Sequence, residues 1–317
     1  CQSEPERAAN EILWDDWGVP HIYASDDYNL YKMAGWAQMR NHANLLLKLY
    51  GEARGRSAEY WGTQLETDKR LRQLGLVENS RALYEQLPTS DREMLRAFAD
   101  GINAYARRHP TDIAPHLAVV LPVAPTDVLA HASRVLYFEF LVHRALKKEK
   151  QFSVGSNAWA ISGANTQGGN ALLLANPHLP WYDFWLFIEC QYLTPTNSLY
   201  GATLVGLPSI GIGFNGALGW THTVNIIDNV DFYHLEMRAG QYLLDGEYHD
   251  LEVDTLYLKV KTDAGLVREP LVRKKSAHGI ILTETPHTAT ALRYANLARS
   301  EEHTSELQSL TKLVCRL

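Results

Sequence analysis

A serine directly after a glycine, at the start of a short apolar strand pattern, is the position in this chain with the clearest chemical potential. Ser156 follows Gly155 and precedes residues 157–161, where small and large apolar side chains are interleaved. If the Gly155–Ser156 bond were cut, Ser156 would gain a free α-amine. The unperturbed pKa of such an amine, about 7.7–8.0, makes it a usable base at neutral pH. One residue would then supply both nucleophile and base.

A conventional hydrolase triad is a second interpretation of the same residues. Ser156, or another serine, would act with His178 and an aspartate. The chain lacks the Gly-x-Ser-x-Gly turn that presents the nucleophile in many such enzymes. Other reactive side chains are scattered, since His21, His222 and His234 have no zinc-ligand spacing.

The composition indicates a globular protein and argues against a nucleic-acid-binding or membrane-spanning one. The 317 residues are 46% hydrophobic and 21% charged, which is typical of a globular chain with a sizeable core. The net charge is -6, and no Lys/Arg stripe is present, so nucleic acid is not expected as a partner. No run approaches the roughly 18–20 apolar residues of a transmembrane helix.

The first residue suggests a location. Cys1 opens a Cys-Gln-Ser-Glu-Pro-Glu leader, and a chain beginning on cysteine resembles a bacterial lipoprotein after removal of its signal peptide. We therefore expect a periplasmic or lipid-anchored protein that meets the membrane only through Cys1. A fragment boundary falling on cysteine is the alternative. Cys190 and Cys315 form no redox or metal pair with Cys1.

The elements that must position Ser156 differ before and after it. Residues 11–24 predict two brief strands around a turn at Gly18 and Pro20. Helical periodicity then predicts a helix over residues 26–49, behind an Asp26 cap, and another from a Thr89-Ser90-Asp91 cap to residue 108. The region 11–155 is therefore expected to be mainly helical, after a polar leader at 1–10.

Beyond Ser156 the pattern changes to strands punctuated by Gly, Pro, Asn and Asp. The predicted strands cover 157–161, 171–175, 184–193, 198–205, 210–214 and 231–237. Residues 156–298 are therefore expected to carry antiparallel sheets. Residues 299–317 show no apolar period and read like the translated start of a DNA sequencing adapter, so we expect a non-native tail there.

Several segments together resemble the penicillin acylase family of N-terminal nucleophile hydrolases, which includes acyl-homoserine-lactone acylases. The resemblance covers most of residues 11–290. It rests on Trp-Gly-Val-Pro-His-Ile-Tyr-Ala at 17–24, Gly-Trp-Ala-Gln-Met-Arg at 35–40, Gly-Glu-Ala-Arg-Gly at 51–55, Ala-Glu-Tyr-Trp-Gly at 58–62 and Gly-Ser-Asn-Ala-Trp at 155–159. The family implies an α+β fold, an αββα sandwich of antiparallel sheets.

The resemblance implies a role for each matching residue. The precursor would cut itself after Gly155, which, lacking Cβ, tolerates the strained backbone of an N-to-O acyl shift, to yield α and β subunits. Ser156 would be nucleophile and amine base, His178 would lie beside it, and the Val224 N–H would enter the oxyanion hole. The chemistry would require no cofactor.

Other implied sites are less specific. Asp228, Val230 and Asp231 resemble a calcium loop, whose hard oxygen ligands suit a structural Ca²⁺. Trp181, Phe184 and Tyr137 are candidates for the acyl pocket, or for ordinary core packing.

The expected function is hydrolysis of the amide of an N-acylated small molecule, such as a β-lactam side chain or an N-acyl homoserine lactone. Family members are far longer, and the asparagine and arginine that complete their site lie beyond the match to residue 298. We therefore expect a truncated, C-terminally incomplete and inactive fragment. The non-enzymatic alternative is a lipid-anchored binding protein with the same fold and no turnover.

Overall fold

The computed structural model describes residues 10–142, 145–146, 155–223 and 229–294. The helices lie before Ser156: α1 (Asp27–Ala53), α2 (Ser57–Trp61), α3 (Leu65–Gln73), α4 (Leu76–Gln86), α5 (Thr89–Arg108) and α6 (Pro125–Ser133). A π-helical segment, Arg134–Val142, continues directly from α6.

Two short strands precede the helices, β1 (Glu11–Trp14) and β2 (Pro20–Tyr23). The remaining strands follow Gly155. They are β3 (Ser156–Ile161), β4 (Leu172–Pro177), β5 (Phe187–Thr194), β6 (Asn197–Leu204), β7 (Ile212–Phe214), β8 (Gly219–Trp220), β9 (Val230–Arg238), β10 (Gln241–Leu244), β11 (Glu247–Asp250), β12 (Glu252–Thr262), β13 (Gly265–Ser276), β14 (Gly279–Glu284) and β15 (Thr288–Tyr294).

The described strands form three sheets. The first has the order β1-β2-β5-β6-β7-β8, the second has the order β11-β10-β9-β15-β14-β13-β12, and β3 pairs with β4 alone. The pairing is antiparallel throughout except between β2 and β5, where His21 lies opposite Gln191 in a parallel register. The predicted α+β class with antiparallel sheets is confirmed, with this one parallel pair as a departure.

The helical layer packs on the first sheet. Ile22 of β2 and Ile188 of β5 belong to the same buried cluster as Leu46 of α1 and Phe98 of α5. Since β2 and β5 come from opposite sides of the Gly155–Ser156 junction, the regions before and after that junction share one sheet and one core. In the described part of the chain, no helix is long and apolar enough to cross a membrane.

Most predicted elements are present, with corrections at their ends. Asp26 caps α1, because its side chain accepts a hydrogen bond from the Asn29 N–H at 2.8 Å. The predicted cap of α5 is wrong: Thr89 is already helical, and the cap residue Pro88 has no side-chain hydrogen bond to offer. Residues 184–186 are not part of β5 either. Asp183–Trp185 form a 3-10 turn, and the strand begins at Phe187.

Candidate functional site

Pairing of β3 with β4 places Ser156 at one end of a two-stranded hairpin. Ser156 lies opposite Pro177, the last residue of β4, so His178 is the next residue beyond the pair. Antiparallel pairing thereby brings the Gly155–Ser156 bond and His178 together from 22 positions apart. The hairpin approaches β8, since an added Cβ at Gly219 would lie 2.8 Å from Leu173 Cδ2.

Two hydrogen bonds converge on the carbonyl oxygen of Gly155. The Ser156 hydroxyl donates to it at 2.6 Å, and the His178 backbone N–H donates to it at 3.1 Å. The carbonyl group of the Gly155–Ser156 bond is therefore bracketed by a nucleophilic side chain and a main-chain donor. Sequence reasoning named His178 but not its N–H, because pairing register rather than residue type determines that contact.

Gly155 is not in a left-handed conformation, because its φ angle is not among the positive ones in the described chain. Its backbone therefore carries no left-handed strain, and the role of Gly155 in processing stays a prediction. The nearest obstacle to a side chain there is the His178 ring, whose Nδ1 would lie 3.4 Å from an added Cβ, an ordinary van der Waals contact. The His178 imidazole thus packs beside the bond that precedes Ser156.

A serine–histidine–aspartate triad is not formed among the described residues. Ser156 Oγ donates to Gly155 O, and no described carboxylate pairs with the exposed His178 ring. Ser156 itself is half-buried.

The aromatic segment after His178 is held by a charge pair. Asp183, whose φ is +56°, lies 3.0 Å from Lys48 Nζ of α1. A left-handed aspartate is uncommon, and the ion pair helps to hold it. The 3-10 turn that it begins carries Phe184, whose ring centroid lies 4.3 Å from that of Trp185.

A buried charge network lies under this turn. Glu52 is 2% exposed and forms an ion pair with Arg134, whose Nη2 lies 2.9 Å from Glu52 Oε2. The Arg134 guanidinium lies 5.4 Å from the centre of the Phe184 ring, a distance suited to a cation–π contact. Lys48 also lies 3.6 Å from Glu52, four residues further along α1. The Lys48–Glu52 spacing was the available sequence signal for this network, and sequence reasoning missed it.

The three aromatic pocket candidates have different environments. Trp181 is 90% exposed, so it does not fill the core. Phe184 is half-buried and packs on the main core cluster. Tyr137 packs on a separate cluster, with its ring centroid 6.0 Å from that of Tyr294. The three side chains therefore lie in different environments, and their part in an acyl pocket stays a prediction.

Five predicted site residues lie at or near undescribed segments. Cys1, Val224 and Asp228 lie outside the described residues. Val230 and Asp231 begin β9, and Asp231 is exposed there. Their carbonyl and carboxylate oxygens are of the type that Ca²⁺ prefers. In the described part, no group of three or more His, Cys, Asp or Glu side chains could hold a metal.

Comparison with known proteins gives consistent matches. A family model described as penicillin amidase matches residues 9–314. The chain is 28% identical over 309 residues to the acyl-homoserine lactone acylase PvdQ of Pseudomonas putida, covering 84% of this chain and 40% of that protein. It is 25% identical over 303 residues to aculeacin-A acylase of Actinoplanes utahensis, covering 79% of this chain and 38% of that protein.

Among solved structures, penicillin G acylase from Alcaligenes faecalis aligns with a TM-score of 0.42 and 19% identity, covering 50% of this chain and 28% of the other. The chain spans about 40% of the length of the relatives that it matches, which agrees with the expectation of an incomplete fold.

Proposed function

The chain belongs to the penicillin amidase family, and from this we propose that the complete protein hydrolyses the amide bond of an N-acylated small molecule through an acyl-enzyme on Ser156. Two hydrogen bonds to Gly155 O, from the Ser156 hydroxyl and the His178 N–H, support this proposal. A nucleophilic hydroxyl and a donor to the carbonyl oxygen are two of the groups that self-cleavage of the Gly155–Ser156 bond requires.

In this proposal, self-cleavage proceeds through an acyl shift and then hydrolysis of the ester. Ser156 Oγ attacks the Gly155 carbonyl carbon, its proton passes through solvent water to the Ser156 nitrogen, and negative charge develops on Gly155 O, where the His178 N–H already donates. The C–N bond then breaks, and the Ser156 nitrogen leaves as a protonated amine. Water hydrolyses the resulting ester and releases the Gly155 carboxylate and a free N-terminal Ser156.

The freed amine then serves catalysis. It takes the proton of the Ser156 hydroxyl as that oxygen attacks the substrate amide, and returns a proton to the leaving amine. The backbone N–H groups of His178 and Val224 would donate to the oxyanion, Val224 by family resemblance. The reaction needs no metal, and a calcium ion at Asp228, Val230 and Asp231 would serve the fold.

The relatives narrow the substrate class. One is named for acyl-homoserine lactones and another for aculeacin A, and this favours an N-acyl homoserine lactone over a β-lactam side chain. We propose a periplasmic location, with any lipid at Cys1.

Replacing the nucleophile tests the proposal. In the full-length protein, Ser156→Ala is expected to give one uncut chain without amidase activity, because both the attacking oxygen and the N-terminal base depend on this residue. Intact-mass spectrometry and hydrolysis of an N-acyl homoserine lactone measure the two effects. Ser162→Ala is the matched control, since Ser162 is exposed one residue beyond the same strand. Unchanged activity in Ser156→Ala would refute the mechanism.

The role of the main-chain donor is separable from that of the imidazole. His178→Pro removes the N–H and is expected to slow self-cleavage by about 10²–10³-fold, as for other oxyanion donors. His178→Ala keeps the N–H and is expected to cleave faster than the proline variant. The cleavage rate is followed on denaturing gels, with Leu179→Pro as the control for an added proline and circular dichroism to confirm folding. Equal rates in His178→Ala and His178→Pro would argue against the donor.

A further inference from the structure

An open cleft of about 550 Å³ lies between the helical layer and the β12–β13 hairpin. None of its lining residues belongs to the segments around Ser156 or His178. The helical wall includes Arg54, Arg56, Arg72 and Arg81, and the hairpin contributes Leu266.

The two sides of the cleft are held firmly. The end of α2 touches β12, since an added Cβ at Gly62 would lie 3.1 Å from the Lys261 carbonyl oxygen. Lys69 of α3 pairs with Glu269 of β13 at 3.1 Å. The cleft is therefore a feature of the packed fold and does not depend on one mobile side chain.

Three of the four arginines already have carboxylate partners. Arg54 binds Asp127 through two hydrogen bonds at 2.9 and 2.6 Å, and Arg56 binds Glu59 through two at 2.6 and 2.7 Å. Arg72 lies 2.8 Å from Glu78. These pairs orient the guanidinium groups and neutralise most of their charge.

Arg81 is different. It lies on α4, is exposed, and has no ion-pair or hydrogen-bond partner within the described ranges of the chain. An unpaired guanidinium beside three ordered ones gives the cleft a surplus of positive charge and free N–H donors. Planar guanidinium donors match a carboxylate in bidentate geometry.

Besides the arginines and the polar residues Glu59, Tyr60, Thr126 and Asp127, the lining includes apolar side chains. Leu266 is 59% exposed and Val119 is 50% exposed, and Leu121 and Pro122 continue the same surface. A small inorganic anion would use only the arginines and would leave these side chains in water. A ligand with an anionic head and an aliphatic body would satisfy both parts.

We propose that this cleft binds an amphiphilic carboxylate, with the head group on Arg81 and the aliphatic part on Val119 and Leu266. The site is distinct from Ser156 and does not depend on the proposed hydrolysis. Ser156→Ala is therefore expected to bind the ligand unchanged.

Isothermal titration of the whole chain with octanoate, kept below its micellar concentration, tests the proposal. One saturable site is expected. Arg81→Gln should weaken binding about tenfold, the typical effect of losing a charge-assisted hydrogen bond. Leu266→Glu should weaken it as well, by repelling the head group and removing the apolar contact. Arg107→Gln is the matched control, because Arg107 is an exposed helical arginine outside the cleft.

Two further probes separate charge from hydrophobicity. Octyltrimethylammonium has the same chain and the opposite charge, and it should not displace octanoate. Inorganic phosphate should bind more weakly than octanoate. The proposal is overturned if octanoate has the same affinity for Arg81→Gln and Arg107→Gln, or if it does not bind the parent protein. It is also overturned if octyltrimethylammonium displaces octanoate or if phosphate binds as tightly as octanoate.

Discussion

At the scale of single residues, the candidate site depends on one main-chain oxygen. Gly155 O accepts from the Ser156 hydroxyl and from the His178 N–H, and the two donors lie at the same end of the strand pair, one at the start of β3 and the other just after the end of β4. Residue types identified Ser156 as a candidate. The second donor is a backbone group that every non-proline residue carries, so only the register of β3 and β4 selects it.

A second residue, Asp68, has a strongly perturbed pKa. Its side chain is 1% exposed, and its Oδ2 accepts from the Ala58 N–H at 2.7 Å at the start of α2. Burial raises the pKa of Asp68 to about 6, although the backbone hydrogen bonds from Ala58 and Ser57 act in the opposite direction. The carboxyl therefore binds its proton more tightly in the folded protein than in the unfolded chain.

This pKa predicts a pH-dependent stability. The contribution of Asp68 is fully present below pH ~4 and is lost as the pH rises through about 6, at a cost on the order of 3 kcal/mol. Asp68→Asn cannot titrate, so its free energy of unfolding should fall less between pH 4 and 7 than that of the parent. Urea unfolding at several pH values measures this. Asp263→Asn, at an exposed hairpin tip, should leave the profile unchanged, and a profile unaltered in Asp68→Asn would contradict the prediction.

At the scale of elements, the crossing of α1 and α5 organises the helical layer. Glycines allow the two backbones to approach closely: an added Cβ at Gly101 would overlap the Lys32 carbonyl oxygen, and one at Gly35 would overlap that of Phe98. The apolar periodicity predicted both helices. It did not predict their close approach, because the periodicity is read from apolar side chains and a glycine has none.

Gly101→Ala should therefore destabilise the protein. Alanine gains about 1 kcal/mol in helix propensity over glycine, but the overlap involves backbone that cannot move aside cheaply, and the net loss should reach about 3 kcal/mol. Thermal or urea unfolding measures it. Gly216→Ala is the control, because nothing lies within 4 Å of its added Cβ. Equal stability of the two variants would show that α1 and α5 can separate freely.

At the scale of the whole molecule, the helical and strand regions are not independent units. β2, from before the helices, lies beside β5, from after Ser156, and both contribute to one core with α1 and α5. The β3–β4 hairpin, in contrast, exposes apolar side chains, including Trp159 at 62% and Leu172 at 56%. Such a surface is typical of a contact with further protein. This agrees with a chain that spans about 40% of its relatives.

The sequence by itself determined the local features. The caps and periodicity of α1, the strand pattern after Gly155, and the Gly155–Ser156 junction depend on residue types at short spacing, so the family and the candidate nucleophile could be predicted from them. The six strands of residues 241–294 were not predicted individually. In β13 the adjacent apolar residues Leu266 and Val267 are both exposed, so the sequence there lacks a simple alternation of buried apolar and exposed polar side chains.

Only the tertiary structure decided which distant groups meet. Pairing of β3 with β4 placed the His178 N–H on Gly155 O, the turn at Asp183 placed Phe184 over Arg134, and packing of α2 against β12 formed the arginine-lined cleft. Each of these contacts joins residues far apart in the chain. Their formation depends on register and on the close approach of backbones, which residue types constrain but do not specify.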